Sequence, residues 1–287
     1  MKTILFPTDL SENALQASEY AGMLAEKFDA SIMIMNCYSV PILTDANEYQ
    51  LPTNVEAFAT ESKKIAVENM AEFKKKFMET TNLAEERISD KIVYGIVPDE
   101  ILAMAKNIKA DMIVMGTKGA SNILDKWIGT TAQTIMKRAE CPVWVIPHNA
   151  KVNYPKKFLY AADLLQDEIS ATQKLMEFVK PLEANCKIIH INDNFEVKVS
   201  EVVATSIGEL KEEFKNDDSV FVRNIHRNDV VEGIEAYIQT YKPDVLALAI
   251  HEKSFFEKLF VQSVSNHFVF GSNIPLLLFQ KTSAKSL

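Results

Sequence analysis

Three of the chain's eight glycines fall within fourteen residues, in the pattern Gly116-x2-Gly119-x9-Gly129-Thr130-Thr131. The segment follows an apolar run, Met112–Met115, and leads into the helical pattern Thr130–Lys137. Glycine lets a backbone approach a ligand closely and reach positive φ. The free N–H groups at a helix start, with the helix dipole behind them, form an anion site. Gly129, Thr130 and Thr131 therefore read as a phosphate cradle carrying hydroxyl donors, with Lys118 placed to neutralise charge. The spacing is neither that of a Walker A loop, which needs Gly-Lys-Ser/Thr together, nor that of the dinucleotide fingerprint.

The elements that must position this segment follow from hydrophobic periodicity. Lys2–Phe6 is a short apolar strand broken at Pro7-Thr8-Asp9, and Ser11 caps the helix after it. That helix turns Ala14, Ala17, Ala21, Leu24 and Phe28 to one face. Ile32–Met35 is a strand, residues 38–53 a long loop, and the next helix points Ala66, Met70, Phe73 and Phe77 inward. Ile92-Val93 (strand), Pro98–Ile108 (helix) and Met112–Met115 (strand) precede the glycine-rich segment, and Val143–Ile146 closes the unit. Strands alternating with crossover helices imply a parallel sheet covered on both faces. Ligands of such sheets sit beyond the carboxyl ends of the strands.

The chain then repeats itself. An offset of 154 residues carries Leu5-Phe6-Pro7-Thr8-Asp9-Leu10 onto Leu159-Tyr160-Ala161-Ala162-Asp163-Leu164, and Ala30 onto Ala184. An offset of 133 carries Lys109-x-Asp111 onto Lys242-x-Asp244 and Pro142 onto Pro275. The expected fold class is α/β: two tandem, doubly wound, Rossmann-like domains with five-stranded parallel sheets, over residues 1–148 and 156–281. In the second copy Gly116, Gly119 and Gly129 become Ala249, Glu252 and Gln262, with only the hydroxyl retained as Ser263. A glutamate in the cradle repels phosphate, so this half is expected to bind no ATP.

The glycine motif resembles that of the ATP-binding universal stress proteins, which carry G-x2-G-x9-G-(S/T) between strand 4 and helix 4. The resemblance extends along the chain as a tandem, two-domain member with an adenine nucleotide alpha hydrolase-like fold. It implies ATP or AMP, alone or with Mg2+, held in the first domain. It further implies that Pro7, Thr8 and Asp9 lie at the adenosine, that Cys37 packs on the adenine, and that Met115, Gly116, Lys118, Gly119, Gly129, Thr130 and Thr131 complete the site. In this family the closing strands of two domains pair across a two-fold interface. Val143–Ile146 and Leu276–Phe279 are thus expected to make an intramolecular pseudo-dimer, with homodimerisation of whole chains left open.

Composition narrows the function classes. Lys and Arg number 31 against 39 Asp and Glu, a net charge of −8, which disfavours a general nucleic-acid surface. No run approaches the ~20 apolar residues of a membrane span, and Ile4-Leu5-Phe6 meets Pro7 too soon for a signal-peptide core. Three cysteines (Cys37, Cys141, Cys186) and five histidines lack metal-ligand spacing, and a reduced, cytoplasmic protein is expected. No nucleophile elbow or placed general base is visible. The leading expectation is a nucleotide-dependent stress sensor or regulator acting on an unidentified protein partner. A scaffold that binds no nucleotide and a slow ATPase or phosphotransferase are the alternatives.

Overall fold

The computed structural model describes residues 1–38, 55–117, 128–164, 168–192, 201–250 and 273–280. The expected loop at 38–53, Lys118, Gly119, and the second copy's segment from 251 to 263 lie wholly or almost wholly outside them.

The first half contains β1 (Thr3–Thr8), α1 (Glu12–Phe28), β2 (Ser31–Tyr38), α2 (Val55–Thr80), β3 (Ile88–Tyr94), α3 (Val97–Asn107), β4 (Met112–Gly116), α4 (Thr130–Arg138) and β5 (Val143–Ile146). The second half contains β6 (Lys157–Ala161), α5 (Glu168–Val179), β7 (Asn185–Asn192), α6 (Glu201–Glu213), β8 (Val220–His226), α7 (Val230–Tyr241), β9 (Val245–Ile250) and β10 (Leu276–Gln280). The ten strands among the described residues join one sheet in the order β3-β2-β1-β4-β5-β10-β9-β6-β7-β8. Each half is parallel within itself. The halves meet at the antiparallel pair β5–β10, where Leu276, Leu277 and Leu278 face Val145, Trp144 and Val143. The pairing expected of the closing strands is what the structure shows, and it removes two apolar edges.

Side chains alternate between the faces. Ile4, Phe6, Val114 and Trp144 join the core beneath α1, α2, α5 and α6. Leu5, Ile113, Met115 and Val145 join the core beneath α3, α4 and α7. Both cores run across the seam. Trp144 is fully buried and touches Tyr20 of α1, Phe158 of β6 and Phe178 of α5 at ring separations of 5.8, 6.2 and 6.0 Å.

The repeat is visible in the backbone as well as in the sequence. Among the described residues, six non-glycines have positive φ, and they form three pairs at the two offsets: Leu10 and Leu164, Asp29 and Glu183, Lys109 and Lys242. Asp111 accepts from the N–H groups of Lys2 and Thr3 at 2.7 and 2.9 Å. Asp244 does the same for Lys156 and Lys157 at 2.8 and 3.0 Å. The Pro142 carbonyl accepts from Ile113, and that of Pro275 from Leu246.

One expected boundary is corrected. β1 does not break at Pro7 but runs to Thr8, with Pro7 opposite Met35 of β2. Thr3 directs its N–H and C=O toward the β4 side, so by alternation Pro7 faces that side too. The β1–β4 ladder has already ended at Leu5, and no donor is needed where proline lacks one. No helix among the described residues is long and apolar enough to cross a membrane.

Candidate functional site

The strand order reverses direction between β1 and β4, and the carboxyl ends of these strands part beyond Leu5. A crevice at such a switch point is where doubly wound sheets take ligands. A cavity of about 340 Å³ lies there, within the ~300–1,000 Å³ range of small-ligand sites. It is lined by Pro7, Thr8, Asp9, Cys37, Met115, Gly116, Gly129, Thr130 and Thr131. These are nine of the eleven residues expected from sequence; Lys118 and Gly119 lie outside the described residues.

Two loops and an apolar floor bound the cavity. At the end of β1, the Thr8 hydroxyl accepts from the Leu10 N–H at 2.9 Å, and the Thr8 carbonyl accepts from the buried Asn36 amide at 2.9 Å. These bonds hold Leu10 at φ 64°, a left-handed conformation uncommon for a branched side chain. Asp9 Oδ1 accepts from both the N–H and the hydroxyl of Ser11, and the Ser11 hydroxyl in turn accepts from Ala14 as the N-cap of α1. The carboxylate is thereby fixed at the cavity mouth.

The floor is apolar. Cys37 stands two residues beyond Met35 on the same face of β2, and both line the cavity with Val97 and Ile101, one turn apart on α3. The Cys37 thiol donates to the Gly95 carbonyl at 3.4 Å. Burial, and next the Glu100 carboxylate, push its pKa up, so it presents a neutral, polarisable surface.

The second loop is the glycine-rich segment. The Gly129 N–H donates to the Thr117 carbonyl at 2.7 Å, which brings the far end of the loop back to the end of β4. Gly129 is the N-cap of α4, with φ −66°, ψ 157° and no side chain to satisfy the first amides. The first turn of α4 carries no acidic residue, while Lys137 and Arg138 occupy its last turn. No residue of α4 itself cancels the positive end of the dipole that meets the cavity. One end of the cavity suits a flat, apolar ring, and the other suits an anion. Among the described residues, no group of three His, Cys, Asp or Glu is arranged to hold a metal ion.

Sequence reasoning missed Ala14, Met35, Val97, Ile101, Thr117 and Ala132, which also line the cavity. Met35 was accessible through the two-residue period from Cys37. Ala14 was not, because a small residue on a buried helix face carries no signal of a ligand.

The sequence profile of the universal stress protein family matches residues 1–147. The chain belongs to this family. A universal stress protein of Methanocaldococcus jannaschii is 30% identical over 148 residues, covering 50% of this chain and 81% of the relative. One of Thermus aquaticus is 28% identical over 146 residues, covering 50% of this chain and 98% of the relative. The crystal structure of a universal stress protein from Archaeoglobus fulgidus superimposes with a TM-score of 0.72 at 19% identity, over 98% of each chain. The sequence relatives thus match half of the chain, whereas the shared fold spans nearly all of it.

Proposed function

We propose that residues 1–148 hold an adenine nucleotide, ATP or AMP, and that the occupied domain acts as a cytoplasmic stress-response sensor or regulator. The observation that carries this reading is the cavity at the β1–β4 switch point. Its apolar floor of Met35, Cys37, Ile101 and Met115 suits adenine, Asp9 stands at its mouth as an acceptor for a ribose hydroxyl, and the α4 N-terminus with Gly129, Thr130 and Thr131 suits phosphate. Lys118 and Gly119 complete the motif in sequence.

Residues 156–281 are read as a degenerate second universal stress protein domain. It supplies the β10 strand that covers β5 and presents the surface for a protein partner. Binding then alters the surface which that partner meets. The test is calorimetric titration of the full chain with ATP and AMP, each with and without Mg2+. Saturable binding below millimolar supports the reading, and no heat at millimolar nucleotide overturns it.

A further inference from the structure

The two halves solve the same turn in different ways. In the first, the Leu10 N–H is satisfied by Thr8, and Ala14 leaves space at the start of α1. In the second, Thr8 is replaced by Ala162, which has no hydroxyl, and Ala14 by Glu168. The Leu164 N–H donates to Glu168 Oε2 at 3.2 Å, and the Tyr160 hydroxyl donates to Glu168 Oε1. Glu168 is 5% exposed, and Tyr160 is fully buried.

The aromatic residue beneath each turn also has different ring neighbours. Phe6 packs against Phe73 and Phe77 of α2 at 6.4 and 5.5 Å. Its counterpart Tyr160 stacks on Phe279 of β10 at 6.1 Å. The strand β9 lies between β6 and β10. Tyr160 is in register with Ala247, and Phe279 with Ala249, the counterpart of Gly116. Phe6, Tyr160 and Phe279 all lie in the core beneath α1, α2, α5 and α6, so the difference at the cavity itself is Glu168, whose carboxylate stands where the first half has Ala14 and the Thr8 hydroxyl.

We propose that the second half is closed to a nucleotide by its own Glu168, held in place by Tyr160, and that Ala14 is what keeps the first half open. Ala14 is on this view a specificity-determining position. The closure adds to the loss of the second glycine segment, and for the role of Ala14 it rests on the first half binding nucleotide as proposed above.

Two full-length variants test it by calorimetry, with circular dichroism and thermal unfolding to report folding. Phe6→Tyr/Ala14→Glu copies the Tyr–Glu pair of the second half into the first. At least a tenfold loss of ATP affinity with cooperative unfolding retained supports the closure, and affinity within twofold of the unmodified chain overturns it. Tyr160→Leu/Glu168→Ala opens the second half and is titrated with adenosine, which needs no phosphate loop. This arm decides the matter if the unmodified chain binds no ATP, which is a failure of the first-half reading alone, or if the first variant does not fold. One adenosine more than the unmodified chain takes supports closure, and an unchanged stoichiometry overturns it.

Discussion

Gly129 begins α4 in backbone that any residue reaches, so its value lies in space and in bare amides rather than in conformation. A carboxylate at this N-cap satisfies the helix's first N–H groups and complements the dipole, and Asp is among the preferred residues there. It also fills the anion end of the cavity with negative charge. Gly129→Asp is therefore expected to leave the thermal midpoint of the free chain unchanged or raised while lowering ATP affinity more than tenfold; a lowered midpoint with affinity intact would contradict the assignment. Gly116, Gly129, Thr130 and Thr131 of this wall were legible in the sequence because glycine and hydroxyls at a helix start form an anion-site pattern. The apolar floor was legible only at Cys37 and Met115, since Met35, Val97 and Ile101 look like any core residues until the sheet and α3 are brought together. Ala14 acquires meaning only beside Glu168.

At the scale of elements, the inner strands were legible and the outer ones were not. β3 and β8 lie at the two ends of the sheet, and β3 exposes Ser89, Asp90 and Lys91 in its middle, with Asp90 paired to Lys74 of α2 at 2.7 Å. Polar residues on an edge strand guard against aggregation and at the same time erase the apolar run that announces a strand. Thus Ile92-Val93 marked only a fragment of Ile88–Tyr94. α7 shows the reverse case, a helix whose buried face carries a misplaced charge. Glu235 holds the position of the partly buried Leu102 in the first half, and its Oε1 is buried without a hydrogen-bond partner. Burial, and next Glu232 and Asp229, push its carboxyl up from 4.5 to about 7. The native state then holds a proton that the unfolded chain releases, so stability falls as pH rises from about 4.5 through about 7. Glu235→Leu is expected to raise the thermal midpoint more at pH 8 than at pH 5, and an equal gain at both values would remove the titration from the explanation.

At the scale of the molecule, duplication was legible because the shared residues do identical structural work. Asp111 and Asp244 cap the first strand of each half, and Pro142 and Pro275 precede the closing strands. The continuity of the sheet follows from the apolar faces of β5 and β10, which leave each half unfinished alone. Trp144 sits on that seam among rings of both halves. Trp144→Ala is expected to cost about 3–5 kcal/mol and to lower a single calorimetric unfolding transition. Two separate transitions, only one of them displaced, would contradict a shared core. On the proposed reading the molecule combines one open site with one closed copy on a common scaffold, and its binding capacity follows from that asymmetry. Native mass spectrometry of the full chain with ATP counts the occupants directly. One nucleotide per chain, lost in Gly129→Asp, is the expected count; two nucleotides, or none, overturn the proposed asymmetry.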